Sequence, residues 1–227
     1  MADLFTPQPP TVLPIRGRAE RFPVHRIYCV GRNYAEHARE MGHDPDREPP
    51  FFFQKNPDNL VLDGRFPYPT RSEDVQFEVE LVVALGSGGA DIPPSEAASC
   101  VLGYAVGLDM TRRDLQAEAK KLGRPWEVGK AFEHSAPCSE LVLATETGPL
   151  NSGAIWLDVN GTLRQTGDVS QMIWYIPHQI AFLSGLFVLR PGDLIFTGTP
   201  AGVGRVARGD RMHAHAERVG DLVVDVV

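Results

Sequence analysis

Glu78, Glu80, Asp109 and Lys130 are the residues of this chain whose types and spacing could do chemistry together. The two glutamates open the run Phe77-Glu78-Val79-Glu80-Leu81-Val82-Val83-Ala84-Leu85. Its apolar, β-branched content predicts a buried strand. Side chains alternate along a strand, so Glu78 and Glu80 share one face while Val79 and Leu81 take the other. Burying two like charges side by side costs on the order of several kcal/mol for each unpaired ion. A divalent cation is the simplest counter-charge; a polar strand face turned to water is the alternative. Asp109 ends a second apolar run that starts at Val101, and Lys130 lies within Glu127–Phe132, which reads as a short strand. Three carboxylates with no paired histidine or cysteine ligands select a hard, oxygen-seeking ion: Mg²⁺, Mn²⁺ or Ca²⁺. Zinc would call for nitrogen or sulfur.

The elements that must position these groups can be read in order. Residues 1–22 carry Pro7, Pro9, Pro10 and Pro14, which predicts an irregular, extended N-terminal arm. His25–Val30 reads as a strand ending at Gly31. Asn33 is a plausible N-cap and Gly42 a plausible stop for a helix of about two turns. On that helix His37 and Glu40 stand at i and i+3, on one face. The polar, proline-broken stretch His43–Pro50 follows, and a short charged helix ahead of such a loop suits a lid. Phe51–Lys55 reads as an aromatic strand whose rings are mostly core. Pro93–Cys100 reads as a short helix and Thr111–Leu122 as an amphipathic one. Asn160-Gly161, between two alternating runs, is a strong hairpin signal. A helical stretch runs from Asp168 or Ser170 to Phe187. A last strand, Leu194–Thr197, enters the glycine-rich Gly198-Thr199-Pro200-Ala201-Gly202-Val203-Gly204. Many short strands with a few short helices predict a mixed α+β domain.

Composition narrows the function. The chain has 227 residues, 43% hydrophobic and 22% charged, which fits one globular domain with an adequate core. A formal charge of −7 without a basic patch argues against nucleic acid and against membrane attraction. The three cysteines, Cys29, Cys100 and Cys138, are odd in number and lack CxxC spacing. They read as free buried thiols in a reducing compartment. With no secretory signal and no bilayer-length apolar run, the expected location is the cytoplasm.

An ordered set of short motifs carries a resemblance. They are Gly31-Arg32-Asn33-Tyr34 with His37 and Glu40; Glu78-x-Glu80-Leu81; Gly103-Tyr104 through Asp109-Met110-Thr111-Arg112-Arg113-Asp114; Lys130-Ala131-Phe132; Val159-Asn160-Gly161; and Gly192-Asp193 through Gly204. In this order and spacing, from about residue 24 to the C-terminus, the sequence resembles the fumarylacetoacetate hydrolase family. Arg26–Tyr34, Pro49–Phe53 and Gly123–Glu127 are most similar to the short bacterial branch that cleaves fumarylpyruvate in gentisate-type aromatic degradation. Glu133 follows Phe132 where the family often has Asp, and it keeps the charge.

The resemblance implies a mixed β-sheet roll of the family's C-terminal-domain type over residues 23–227. It implies that Glu78, Glu80 and Asp109 hold Mg²⁺ or Mn²⁺. The implied substrate is a 2,4-diketo acid, attacked by water at C4 so that C3–C4 breaks and a pyruvate enolate leaves. Lys130 would steady the developing negative oxygen, and His37, oriented by Glu40, would be the base for the water. Arg113, Gln116 and Thr199 would hold the pyruvyl end and Arg32 the far carboxylate. A general acylpyruvase, an oxaloacetate decarboxylase or a diketo-acid isomerase would share most of this site, and a catalytically silent metal- or acid-binding relative is the non-enzyme alternative. The family resemblance also implies a homodimer.

Overall fold

The structure, a computed structural model, describes residues 4–42 and 49–227. The segment from His43 to Glu48, read above as most of a lid loop, lies outside the described residues. A six-stranded sheet organises the rest, in the order Val142–Leu143, Val101–Leu108, Val79–Leu85, Asp193–Phe196, Arg26–Gly31 and Phe51–Lys55. A five-stranded sheet runs Thr162–Asp168, Ala154–Val159, Arg211–Ala216, Gly220–Val226 and Arg65–Phe66. A small third sheet joins Thr111–Arg112, Val75–Phe77 and Gly204–Arg205. Antiparallel and parallel pairs both occur, so the architecture is the mixed α+β roll expected.

Alternation explains why both faces of the central sheet are dry. Val79, Leu81, Val83 and Leu85 join Ile155, Leu157, Met212 and Val224 of the five-stranded sheet in one core. Val82 and Ala84 face the other way, into a second core with Leu13, Phe22, Ile27 and Phe196. Each such large side chain contributes roughly 1.5–3 kcal/mol on burial. The register could not slip by one residue without driving Glu80 into the first core. The N-terminal segment departs from the expected irregular arm in its second half. Val12–Pro14 and Arg21–Pro23 pair as a hairpin, and Leu13 and Phe22 at the centres of its two strands seal the second core. Pro14 is tolerated because it sits at the end of a strand in a two-stranded sheet.

Among the described residues six short α-helices punctuate the strands: α1 Ala35–Glu40, α2 Pro94–Ala97, α3 Arg113–Leu122, α4 Glu127–Lys130, α5 Ala144–Thr147 and α6 Ile176–Leu186. Three local readings are corrected. Asn33 is not the N-cap of α1; Tyr34 is, with no side-chain cap bond. Asn33 is buried because its amide is a cross-link, donating to Thr197 O at 2.7 Å and Trp174 O at 3.0 Å while accepting from Trp174 N at 2.7 Å. Glu127–Lys130 is helical, not a strand, because Trp126 O accepts from both Gly129 N and Lys130 N and closes a turn there. The helical stretch after Asp168 is broken: a 3₁₀ turn at Val169–Gln171, then an extended passage into α6. No described helix is long and apolar enough to cross a membrane. The three cysteines are free and buried.

Candidate active site

The carboxylates are brought together by the pairing of two adjacent strands. Val79 lies opposite Leu108 and Glu80 opposite Gly107, so the ladder sets Asp109 beside Glu78. Asp109 N donates to Glu78 O at 2.9 Å and locks that end. Glu78 sits at the one-residue gap where the chain leaves the Val75–Phe77 strand and enters Val79–Leu85. Gly107 opposite Glu80 leaves room that a Cβ would fill: it would lie 2.6 Å from both Val82 and Phe196 side-chain atoms. The result is a buried triad whose ligand atoms all lie within 4.8 Å of one another.

Three buried or part-buried cations face the triad. Lys130, only 2% exposed, donates from Nζ to Glu78 Oε2 at 2.8 Å, Asp109 Oδ2 at 2.7 Å and Thr111 Oγ1 at 2.7 Å. Arg113 donates from Nη2 to Glu78 Oε1 at 2.5 Å, from Nη1 to Gln116 Oε1 at 2.8 Å and from Nε to Gln76 Oε1 at 2.9 Å. Lys55 Nζ lies 2.8 Å from Asp109 Oδ1 and bonds the carbonyls of Met110 and Lys130. Glu80 has the least of this help: Gly198 N donates to its Oε2 at 2.8 Å, and Lys130 acts on it only at longer range.

The electrostatics follow from this asymmetry. Burial pushes the Glu78 carboxyl up, but Lys130, Arg113 and His37 outweigh it and hold the group well below the usual carboxylate range. For Glu80, burial and the negative charges of Asp109 and Glu78 win, and its carboxyl is raised well above that range. That is the condition a hard dication relieves, because it supplies positive charge to the carboxylate the protein leaves least compensated. The donor chemistry agrees, being oxygen only. The triad therefore fits Mg²⁺ or Mn²⁺, and Glu78, Glu80 and Asp109 are the residues that could hold it.

A cleft opens onto Glu78 and Glu80, lined among others by Arg32, His37, Phe51, Phe53, Lys120, Trp126 and Thr199. Helix α1 is better anchored than a loosely held lid would be: His37 is 5% exposed and Ala38 2%. His37 Nδ1 lies 3.1 Å from Glu40 Oε2, and the Glu40 carboxylate accepts from Gly202 N at 3.3 Å. The glycine-rich turn thus serves both ends of the site, holding Glu40 through Gly202 and Glu80 through Gly198. Gly198 adopts φ +96° and packs so closely on Asn33 that a Cβ would approach the Asn33 Cβ to 2.6 Å. Thr199 is buried and its Oγ1 accepts from Gln165 Nε2 at 2.8 Å. Arg32 has φ +58° and its guanidinium stands 4.7 Å over the Phe51 ring.

The site also gathers residues to which the sequence alone assigns no role. Lys55 could have been found by alternation, since residues 51, 53 and 55 share a strand face and Phe51 and Phe53 line the cleft. Lys120 stands seven residues after Arg113, on the same stripe of α3. Trp126 had no signal of its own, because only folding closes the α3–α4 turn over the Phe51–Lys55 strand.

Known proteins match this chain in sequence and fold. Residues 26–227 match the family described as fumarylacetoacetate (FAA) hydrolase C-terminal. The crystal structure of fumarylpyruvate hydrolase from Pseudomonas aeruginosa, in complex with Mn²⁺ and pyruvate, is 52% identical, with a TM-score of 0.98 over 100% of this chain and 99% of that one. A fumarylpyruvate hydrolase from a Ralstonia species is 42% identical over 82% of this chain and 98% of its own length. A mitochondrial oxaloacetate tautomerase of Mus musculus is also 42% identical, over 85% of this chain and 87% of its own. The chain belongs to the fumarylacetoacetate hydrolase family and has the fold of its C-terminal domain.

Proposed function

We propose that this chain is a metal-dependent hydrolase of 2,4-diketo acids, with fumarylpyruvate as its substrate and fumarate and pyruvate as products. The single observation that carries this reading is the buried His37, paired with Glu40 and lining the same cleft as Glu78 and Glu80 of the triad. Hydrolysis needs an activated water, and an oriented imidazole beside the cleft can supply the base. Glu40, held by Gly202 N, fixes the ring by taking the Nδ1 side and leaves Nε2 to accept the water proton. The water oxygen bonds to C4, the C3–C4 bond breaks, and its electron pair passes into the pyruvyl fragment as an enolate. His37 holds the proton that is later returned at C3. Lys130 steadies the enolate oxygen, and Arg113 with Gln116 and Thr199 orients the pyruvyl carboxylate. When bound by Glu78, Glu80 and Asp109, Mg²⁺ or Mn²⁺ supplies Lewis acidity toward the ketone and carboxylate oxygens.

Charge supports the reading. Lys55, Lys130 and Arg113 equal the three carboxylates in number, although all three pair with Glu78 or Asp109 and none with Glu80. A bound dication therefore leaves the site with an excess of positive charge suited to a dianionic diacid. Two of the relatives above are fumarylpyruvate hydrolases, one of them holding Mn²⁺ and pyruvate.

The tautomerase relative favours a second reading, enol–keto conversion or decarboxylation of oxaloacetate on the same site. The two separate by products. Purified protein with Mn²⁺ or Mg²⁺ is given fumarylpyruvate, acetylpyruvate and oxaloacetate, and enol absorbance and released acids are followed. Stoichiometric fumarate and pyruvate support the hydrolase. Oxaloacetate turnover with intact fumarylpyruvate would replace it by the second reading. No turnover of any of the three, with Mn²⁺ still bound, would leave a silent metal-binding relative. The proposal includes a cytoplasmic homodimer, which a solution mass measurement checks.

A further inference from the structure

Helix α3 lays three polar side chains along one stripe. Arg113, Gln116 and Lys120 stand at i, i+3 and i+7, and all three line the cleft. Arg113 is at the triad end, bonded to Glu78. Seven residues of helix advance about 10 Å, so Lys120 marks a point well away from the reacting centre, at the outer rim. An extended seven-carbon diacid, with C–C bonds of about 1.5 Å, spans roughly 7–8 Å between its carboxyl carbons. The helix therefore offers a cationic or polar group at each end of such a molecule.

The ground between them is aromatic. Phe51 and Trp126 meet edge to face at 5.4 Å, and Phe53 lies 6.0 Å from the same indole. Lys120 Nζ stands 4.9 Å from the Trp126 ring centroid. Its chain is exposed along the rim, yet partial burial of the ammonium and repulsion from Arg113, Arg32 and Lys130 lower its pKa to about 8, against a small opposing pull from Glu78. A cation kept in cationic company gains from an anion more than an ordinary surface lysine does.

We propose that Lys120, above the Phe51–Trp126 wall, forms the distal subsite and selects acyl groups that end in a carboxylate. This rests on the hydrolase reading and deepens it. The flat unsaturated segment of a fumaryl group lies along the aromatic wall, and its terminal carboxylate pairs with the Lys120 ammonium. An acyl group without that carboxylate leaves the ammonium unanswered.

The test compares wild type, Lys120→Met and Lys120→Arg, all with Mn²⁺, on fumarylpyruvate and on acetylpyruvate. In Lys120→Met the ratio of kcat/KM for fumarylpyruvate to that for acetylpyruvate should fall roughly 10–100-fold, mostly through KM, as expected for loss of one charged hydrogen bond. Lys120→Arg should restore most of the ratio. An equal loss on both substrates, or an unchanged ratio, overturns the assignment while leaving hydrolysis itself intact. If wild type hydrolyses neither acid but turns over oxaloacetate, the hydrolase reading has failed, and the subsite is judged by inhibition of that turnover. Fumarylpyruvate should then inhibit wild type more tightly than acetylpyruvate does, and Lys120→Met should erase the difference; no difference in wild type overturns the subsite as well.

Discussion

Replacing Lys130 by methionine tests the charge balance at the heart of the site. The ammonium makes three short contacts, to Glu78, Asp109 and Thr111, at 2.7–2.8 Å. Methionine keeps much of the side-chain volume over Phe53 but removes the charge. Breaking a buried pair by removing one partner costs about 3–5 kcal/mol. Arg113 still answers Glu78 and Lys55 still answers Asp109, so the lower end, about 3 kcal/mol, is expected here. At this chain length 1 kcal/mol moves Tm by about 2–4 °C, so the variant in excess chelator should melt roughly 6–12 °C below wild type. Mn²⁺ at a hundred times its Kd adds about 2.7 kcal/mol to any protein that binds it only when folded. In the variant the ion also replaces the lost counter-charge, so the Mn²⁺-induced rise in Tm should be larger than in wild type. Turnover should nevertheless stay on the order of 10²–10³-fold low with Mn²⁺ present, because the donor to the enolate is gone. The assay is a pair of thermal melts, in chelator and in Mn²⁺, beside a rate measurement. Equal melting of the two proteins in chelator, or a smaller Mn²⁺ shift in the variant, would refute the reasoning.

Three further substitutions separate the parts of the site. His37→Ala should lower turnover by about 10²-fold or more while Mn²⁺ affinity by titration calorimetry stays unchanged, since His37 is outside the ligand set. Glu80→Ala should do the reverse and weaken Mn²⁺ first, and it should raise chelator-state stability because the least compensated buried carboxylate is gone. Asn33→Ala strips hydrogen bonds from Trp174 N, Trp174 O and Thr197 O, the first two part-buried and the last buried and worth about 1–3 kcal/mol, and should lower the denaturation midpoint by more than any single surface change.

Much of the scaffold was legible because it depends on local period and turn chemistry. The near-continuous apolar run through Val79–Leu85 reports a strand buried on both faces, and Asn160-Gly161 reports the hairpin joining Ala154–Val159 to Thr162–Asp168. The short spans failed where backbone bonding over four residues outweighs composition. Glu127–Lys130 closes a helical turn on Trp126 O although its residues suggest a strand. Asn33 spends its amide on Trp174 and Thr197, which lie 141 and 164 residues away, rather than capping its own helix.

The chain by itself determined that Glu78 and Glu80 share a face, that His37 and Glu40 share another, and that the candidate ligands offer oxygen, since each follows from side-chain type and the repeat of a single element. Only the tertiary structure decided that Lys120 and Trp126 line the same cleft, that Lys55 pairs with Asp109, and that Glu80 is the carboxylate left short of positive charge. Burial and charge compensation are properties of what surrounds a group, and here the surroundings come from strands and helices far apart in the sequence.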